Sequence, residues 1–360
     1  MNSAPANSAP ANSAPANGAP ANGAPAAGRR LVLAVDGGNS KTDVAVVADD
    51  GEVLATARSG PFLPQSAGVA AAVDVIERAV TDALREAVRE ALPPGRHPPF
   101  DHVAAYLAGA DLPVEEEALA REFSARGLAP DVVVRNDTFA LLRAGASAAW
   151  GVAVVCGAGI NAVGVSPTGE VARFPALGRI SGDWGGGQVI GEDALWHAAR
   201  AEDGRGPATA LVDVVRAHFG VHTVEELVLD LHFDRVPYGG LHELAPGVLA
   251  AAAGGDAVAL GLVERLAGEV TIMAQVCLRR LGLLETPAEV VLGGGVLRAR
   301  DPLLTSLLER GFAAAAPHAE IVVADVPPIV GAALSGLDRL GATEAAGSRL
   351  RARYEEGVPA

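Results

Sequence analysis

The residues best suited to chemistry lie in a short stretch near the start of the chain. Residues 31–42 read Leu-Val-Leu-Ala-Val-Asp-Gly-Gly-Asn-Ser-Lys-Thr. The apolar residues predict a buried strand, because the run is too short and too continuous for one face of a helix. Asp36 ends that strand, and the glycines after it allow a tight turn whose backbone amides point outward. The candidate anion-binding residues are Gly37, Gly38, Asn39, Ser40, Lys41 and Thr42.

A second strand, not a helix, is predicted after this turn, because the chain alternates again from residue 43. A Walker loop has glycine directly before its lysine and a helix after it, and a dinucleotide fingerprint also opens a helix. The stretch therefore predicts a hairpin whose turn binds phosphate, with Asp36 able to hold a hydrated Mg²⁺. An ordinary glycine hairpin turn fits it equally well. Lys41 is the only lysine in the sequence, and its compact charge in this loop favours phosphate binding.

The same order of features returns in the second half of the chain. An apolar strand predicted over 152–155 is followed by a glycine loop, a second strand to 165, a turn, and a third strand from 171. Cys156 stands where Asp36 stood, so the second copy keeps the loop but not the carboxylate. An internal repeat of this size is a stronger signal than either loop alone. It predicts two hairpins that hold a polyphosphate between them, the second through Gly157, Ala158, Gly159 and Asn161.

Three acidic residues and one further glycine turn complete the candidates. Asp111 follows a strand predicted over 102–107, Asp137 follows one predicted over 132–134, and Asp183 lies in a glycine-rich loop. Ligands of α/β sheets bind at the carboxyl ends of the strands. Structural roles fit as well: a helix N-cap for Asp111 or Asp137, and a turn residue for Asp183. The late turn is Gly293, Gly294 and Gly295, between a strand and a helix.

Length and composition limit the protein's class. The predicted elements run βββαβαβα to residue 150, with the first three strands in a meander and a long helix over 69–92. The order then begins again, with a helix over 241–252 among those that follow. This pattern indicates an α/β fold with two domains. A formal charge of −15 argues against nucleic acid or an anionic membrane as a partner. Residues 1–27 repeat Asn-Ser/Gly-Ala-Pro-Ala without charge, and we expect a disordered tail there and no secretory signal. With no predicted membrane span and two cysteines, the expected location is cytoplasmic.

The three glycine motifs resemble the phosphate-1, phosphate-2 and adenosine motifs of the actin/hexokinase/sugar-kinase superfamily. Within it, the chain resembles the BadF/BadG/BcrA/BcrD ATPase family and especially its N-acetylglucosamine kinase branch. Further blocks that match are residues 107–111, 136–137 and 178–183. The resemblance covers residues 30–340 and implies two ribonuclease-H-like (actin-like ATPase) domains with a nucleotide cleft between them. The expected division is a tail at 1–28, one domain at 29–149 with a closing helix at 329–341, a second at 150–328, and a C-terminal tail at 342–360.

The resemblance also implies roles for single residues. Asp36 would hold Mg²⁺ through water, residues 39–42 the terminal phosphates of ATP, residues 157–161 the β-phosphate and residues 293–295 the adenosine. Asp111 would be the base for the sugar hydroxyl, Asp137 would lie near metal and phosphate, and Asp183 would bind sugar hydroxyls. Two departures concern the sugar. Trp184 stands where the kinases more often have an acidic residue, and residues 64–66 lack their asparagine.

We therefore expect an ATP-dependent kinase that phosphorylates an amino sugar, N-acetylglucosamine at its 6-hydroxyl, with ATP and Mg²⁺. The expected partners are the amino sugar and a second copy of the chain in a homodimer. One alternative is an ATPase that activates a partner enzyme, as the activators of 2-hydroxyacyl-CoA dehydratases do. Those activators hold an iron–sulfur cluster through cysteines shared between subunits, which Cys156 and Cys277 do not convincingly supply. The other alternative is a sugar or nucleotide sensor without catalytic activity.

Overall fold

The computed structural model describes residues 29–87 and 100–357. Three predicted features lie wholly or partly outside the described residues. They are the repeat region at 1–28, the end of the helix predicted over 69–92, and the last residues of the chain, 358–360.

The first half of the chain forms a five-stranded mixed sheet. Its strands are ordered β3-β2-β1-β4-β5. The β1–β2 and β2–β3 pairs are antiparallel, which confirms the predicted three-stranded meander, and β1–β4 and β4–β5 are parallel. The carboxyl ends of β1, β4 and β5 therefore share one edge. The strands are β1 Leu31–Gly37, β2 Thr42–Ala48, β3 Val53–Ser59, β4 His102–Leu107 and β5 Asp131–Asn136.

The central strands of this sheet are buried along most of their length because helices cover both faces. On the outer face, Val73, Ile76 and Phe123 pack in one core with Leu33 and Val46. Burial of each such side chain contributes roughly 1.5–3 kcal/mol. The helices of this half are α1 Pro64–Ala67, α2 Val69–Ala87, α3 Pro113–Ala125 and α4 Asp137–Gly145.

The second half repeats the arrangement. Its sheet is ordered β10-β9-β6-β7-β8, with β6–β7 and β7–β8 antiparallel and β6–β9 and β9–β10 parallel. Taken in chain order, this is the strand order of the first sheet, so the predicted internal repeat is confirmed. The strands are β6 Gly151–Cys156, β7 Ile160–Val165, β8 Val171–Arg173, β9 Ala288–Gly293 and β10 Ala319–Val323.

Most helices of the second half lie between β8 and β9. The helix predicted over 241–252 begins only at Ala245, after a 3-10 helix at Tyr238–Leu244, because Pro246 suits a first helical turn. The helices at Val224–His232 and Gly295–Arg298 were not predicted. The first has the N-cap Thr223, whose side chain accepts a hydrogen bond from the Glu226 amide. The helices are α5 Gly186–Glu202, α6 Leu211–Phe219, α7 Val224–His232, α8 Ala245–Ala253, α9 Ala257–Arg280, α10 Gly295–Arg298 and α11 Pro302–Ala315.

Two helices, α4 and α12 (Pro328–Arg339), lie between the inner faces of the two sheets and share one core with both. Their approach is very close. A Cβ atom at Gly331 would lie 1.8 Å from the carbonyl oxygen of Ala140, and one at Gly336 would lie 2.3 Å from Val32. These contacts require glycine, and they hold α12 closely against α4 and β1.

The C-terminal segment, expected as a tail, contains a further helix, α13 (Glu344–Glu355). Ala346 and Leu350 are buried against the first half, and Arg349 forms ion pairs with Asp50 and Glu52. Residues 344–355 therefore belong to the folded body of the protein.

Within the described residues, no single helix is long and apolar enough to cross a membrane, although one bent pair, Tyr238–Ala253 with Ala257–Arg280, meets those two criteria jointly.

Candidate active site

The two glycine hairpins meet at a cleft between the sheets. Residues 157–161 and the first turn line a cavity of about 320 Å³, called here the small cavity. An adjoining cavity of about 880 Å³, the large cavity, shares Asn39, Ser40 and residues 157–160 with it. The small cavity contains the acidic side chains of Asp36, Asp111 and Asp137. The large cavity extends toward α8 and α10.

The first hairpin presents only part of its predicted set to these cavities. Its turn is closed by the Gly38 amide, which donates to the Lys41 carbonyl at 2.8 Å, and residues 38–41 line the small cavity. Gly37 is buried against Leu107 and Phe62. Thr42 is also buried, and its hydroxyl donates to the Gly60 carbonyl at 2.9 Å. Gly37 and Thr42 thus hold the turn in shape and line neither cavity.

Lys41 lies at the cavity edge with a partner of its own. Its Nζ is 2.8 Å from Oδ2 of Asp43, and Arg58 Nε donates to the other carboxylate oxygen at 2.6 Å. Asp43 is 6 % exposed, so the two cations compensate a buried charge. Half of the Lys41 side chain remains exposed, which leaves the ammonium accessible to an anion in the cleft.

The second hairpin presents its whole predicted set. Gly157, Ala158, Gly159 and Asn161 all line the small cavity. Two backbone amides at the start of α5, those of Gly187 and Gln188, donate to carbonyls of the hairpin at 2.7 and 2.9 Å. The start of α5 therefore fixes this loop from behind.

The late glycine turn contributes one residue to the cavities. A Cβ at Gly293 would meet Leu141 at 2.5 Å, and Gly294 adopts φ +86° with its Cα close to the backbone of Cys156. Both glycines permit close packing of β9. Gly295 lines the large cavity together with Val296 and Ala299. Sequence reasoning missed the opposite wall, which includes Gln188, His242, Pro246 and Leu249; as ordinary residues of helices they gave no signal.

Asp36 and Asp137 form the acidic floor of the small cavity. The pKa of Asp36 is raised to about 7, chiefly by loss of water around the carboxyl group and also by the charges of Asp137 and Asp43, while Lys41 opposes them. Burial also raises the pKa of Asp137 to about 6, against hydrogen bonds from backbone amides. Asn136, not Asp137, is the N-cap of α4 and accepts from the Thr138 amide. Two carboxyl groups that resist ionisation favour a cation beside them.

The described residues contain no group of three or more His, Cys, Asp or Glu side chains placed to hold a metal ion. Mg²⁺ keeps several of its waters and is usually bound through one or two carboxylates together with substrate phosphates. Asp36 and Asp137 are compatible with that mode of binding.

Asp111 lies after β4 and is not a helix cap. The N-cap of α3 is Leu112, and Glu115 accepts hydrogen bonds from the amides of Asp111 and Leu112 at 3.0 and 2.9 Å. Oδ1 of Asp111 accepts from the side-chain amide of Asn136 at 2.8 Å and from that of Asn161 at 3.5 Å. The carboxyl group is therefore oriented by one residue from each sheet.

The pKa of Asp111 is raised to about 7. Burial is the largest cause, the charges of Asp137, Glu115 and Asp183 act in the same direction, and Arg173 opposes them. A carboxyl group with this pKa takes up a proton more readily than an ordinary aspartate near neutral pH, as a general base requires.

The remaining predicted residues lie around the cavities. Asp183 lines the large cavity, and its Oδ2 accepts from the Gly178 amide and the Ser181 hydroxyl. Trp184 is 3 % exposed, donates to Asp193 and lines neither cavity. Gln65, in the segment that lacks asparagine, donates to the carbonyl of Gly109 at 2.7 Å, at the wall of the small cavity.

Two sheets of one strand order, with facing glycine hairpins at a shared cavity, define a nucleotide-binding protein of the actin-like ATPase fold. A solved structure has the same fold: a candidate N-acetylglucosamine kinase from Chromobacterium violaceum superposes with a TM-score of 0.68 at 24% identity, covering 86% of this chain and 99% of that one. The chain belongs to the BadF/BadG/BcrA/BcrD ATPase family, whose profile it matches over residues 33–336.

Two curated relatives resemble most of the chain. An N-acetyl-D-glucosamine kinase from Dictyostelium discoideum is 25% identical over 317 residues, which is 86% of this chain and 98% of the relative. An N-acetylmuramic acid/N-acetylglucosamine kinase from Clostridium acetobutylicum is 24% identical over 271 residues, which is 74% of this chain and 86% of the relative.

Proposed function

We propose that this protein transfers the γ-phosphoryl group of ATP to a hydroxyl group of an amino sugar, with N-acetylglucosamine and its 6-hydroxyl as the first candidate. One observation carries the proposal. The Asp111 carboxyl, oriented by two side-chain amides, shares a small cavity with both glycine hairpins and two further carboxyl groups. The curated relatives named as amino-sugar kinases support the choice of acceptor.

ATP fits the arrangement of the two cavities. The large cavity offers an apolar wall from α8 and α10 for the adenosine. The hairpin turns, shared by both cavities, offer backbone amides and Lys41 to the phosphates. The terminal phosphate then points toward Asp111, and Mg²⁺ bound near Asp36 and Asp137 would supply charge neutralisation for the phosphates.

The chemical step requires no protein nucleophile. The acceptor oxygen attacks the γ-phosphorus, an O–P bond forms, and the bond from phosphorus to the bridging oxygen of ADP breaks. The Asp111 carboxylate accepts the proton of the hydroxyl group. Lys41 and the backbone amides of the two hairpins compensate the charge on the phosphoryl oxygens.

The acceptor lies on the side of Asp111 and Asp183 in this proposal. Both described hydrogen bonds to the Asp183 carboxylate reach Oδ2, and Oδ1 would accept from sugar hydroxyl groups. Gln65 donates to the Gly109 carbonyl at the wall of the small cavity, and in this proposal its amide takes the place of the asparagine of the related kinases. The two cysteines are both buried, which argues against a cluster shared between subunits and hence against the partner-activating ATPase.

The decisive experiment measures ADP release with a panel of sugars and amino sugars for the wild type and for Asp111→Asn. Asparagine keeps the oxygen that accepts from Asn136 and Asn161, and Glu115 still caps α3. We expect unfolding free energy within about 1 kcal/mol of the wild type, unchanged ATP binding, and turnover lower by about 10²–10⁴.

Asp131→Asn serves as the matched control, because Asp131 lies at the opposite edge of the same sheet and pairs with Arg339. Its turnover should stay close to that of the wild type. An active Asp111→Asn enzyme would remove the proposed base. ADP release at the same rate with and without every sugar would indicate an ATPase and contradict the proposed kinase activity.

A further inference from the structure

One side chain from the second sheet reaches the backbone of Asp111. Arg173 is the last residue of β8, and its Nη2 donates to the Asp111 carbonyl at 2.5 Å and to the Ala110 carbonyl at 3.4 Å. Its Nη1 donates to Glu116 at 3.1 Å. Arg280, at the end of α9, in turn donates to the Arg173 carbonyl. The guanidinium therefore extends from a strand end that is itself held in the second half.

The partners of Arg173 are the groups that orient the Asp111 carboxyl. Glu116 Oε1, which accepts from Arg173, also accepts from the backbone amide of Asn136 at 3.2 Å. Asn136 donates its side-chain amide to Asp111 at 2.8 Å. The contacts thus form a closed ring: Arg173 holds the main chain of Asp111 directly and, through Glu116, the residue that orients its side chain.

Arg173 lines neither the small nor the large cavity, so a direct contact with the nucleotide or the acceptor is not indicated. Its side chain is 24% exposed and that of Glu116 is 17% exposed. A partly exposed ion pair contributes little to stability, about 0–1 kcal/mol. An arginine fork that donates to a carbonyl and a carboxylate at once instead fixes geometry.

We propose that Arg173 is a positioning residue that couples the orientation of Asp111 to the placement of the second sheet. The Asp111 carboxyl group then has its full set of orienting contacts only when the two sheets have the relative placement seen in this structure. This inference rests on the proposed role of Asp111 and deepens it. Asp111 belongs to the first half of the chain, and this inference gives a residue of the second half a part in orienting it.

The charges around Asp111 are consistent with this role. Three acidic groups face it, Asp137 from α4, Glu115 from α3 and Asp183 from the loop before α5, and each raises its pKa. Arg173 is the basic group that lowers it. Loss of the guanidinium should therefore leave Asp111 protonated to a higher pH.

The test compares Arg173→Gln, Arg173→Lys and the control Arg280→Gln in the full chain, with ATP, Mg²⁺ and N-acetylglucosamine. For Arg173→Gln we expect kcat to fall by about 10–100-fold, KM for ATP to change by less than about twofold, and the acidic limb of the kcat profile to move to higher pH. Arg173→Lys should restore the position of that limb and only part of kcat. Arg280→Gln removes the contact to the Arg173 carbonyl but none of the partners of the Arg173 guanidinium, so it should lower kcat much less than Arg173→Gln and leave the limb in place.

A second readout needs no turnover. In protein labelled with ¹³C at the aspartate carboxyl carbons, the Asp111 signal is the one missing from Asp111→Asn, and its titration midpoint should rise in Arg173→Gln. An unchanged midpoint, with a loss of kcat no larger than in Arg280→Gln, would reduce Arg173 to a structural contact and overturn the inference. If the wild type phosphorylates no amino sugar, the proposed function fails, and the midpoint still decides the role of Arg173.

Discussion

The two glycine hairpins have the same place in their sheets and differ in what they present to the cleft. In the first, Asp36 lies opposite Asp43 across the strand pair, and the turn exposes the side chains of Asn39, Ser40 and Lys41. In the second, Cys156 lies opposite Ile160 and is completely buried, so burial raises the pKa of its thiol to about 12.

The two copies of the repeat therefore present different chemical groups to the cleft. The first hairpin supplies charges, which a metal ion and a phosphate require. The second supplies backbone groups and a fixed shape, because α5 holds it from behind. Since the strand order is the same in both sheets, the fold itself does not decide which hairpin carries the chemistry. Much of the difference between the hairpins lies at one pair of equivalent positions, Asp36 in the first and Cys156 in the second.

Among changes to the two hairpins, the largest expected effect comes from removing the carboxylate of the first. Asp36→Ala should lower turnover by about 10²–10³, because a metal ion held by Asp36, as proposed, would contribute several kcal/mol to the stabilisation of transferred charge. It should also raise the Mg²⁺ concentration required. Cys156→Ala is the matched control at the equivalent position, and we expect turnover close to that of the wild type. Initial rates at limiting and saturating Mg²⁺ measure both. Wild-type rates for Asp36→Ala at limiting Mg²⁺ would contradict the metal role.

The reverse exchange tests whether the second hairpin tolerates a charge. Cys156→Asp places a carboxylate without a cation in a buried position, and we expect a loss of about 3–5 kcal/mol in unfolding free energy at pH 8. Urea unfolding measures it, with Cys156→Ser as the uncharged control, for which the expected loss is about 1–3 kcal/mol. A variant Cys156→Asp as stable as the wild type would show that the two hairpins are electrostatically equivalent.

The smallest expected effect concerns pH. Because the pKa of Asp36 is about 7 in the folded protein and about 4 in the unfolded chain, the folded state binds its proton more tightly. Stability of the protein free of nucleotide and metal should therefore fall as pH rises from about 4 to 7. Asp36→Asn removes this cost, so its Tm should exceed that of the wild type by several °C at pH 8, with the gap narrowing toward pH 4.

Asp43→Asn is the control for the pH experiment, because its expected change in Tm has the opposite sign. Asp43 is paired with Lys41 and Arg58, so its replacement leaves two cations without their carboxylate and should lower Tm at pH 8. Thermal melting in EDTA across this pH range measures both variants. A Tm for Asp36→Asn below that of the wild type at pH 8 would show that Asp36 stabilises the free protein.

The sequence predicted what local pattern determines. Both hairpins, the repeat and the position of Asp111 at a strand end follow from apolar runs that stop at glycine or acidic residues. The direction in which single side chains point depends on distant packing. The Thr42 hydroxyl donates to the Gly60 carbonyl instead of reaching the cleft, and a side chain at Gly293 would meet Leu141. Both neighbours are far away along the chain. Arg173 and Asn161 contact Asp111 from the other sheet, which no local pattern reports.

The helices at the end of the chain have a consequence for synthesis. One face of the first sheet is covered by α12 and α13, although its strands are made long before them. Ribosomes add roughly 5–20 residues per second. The helices that cover the inner faces of β1 and β2 are therefore synthesised on the order of ten seconds to a minute after these strands. During that interval an apolar surface that includes Val32 and Val47 is open to chaperones and to other nascent chains. The first sheet therefore depends for its cover on residues that are made well after its strands.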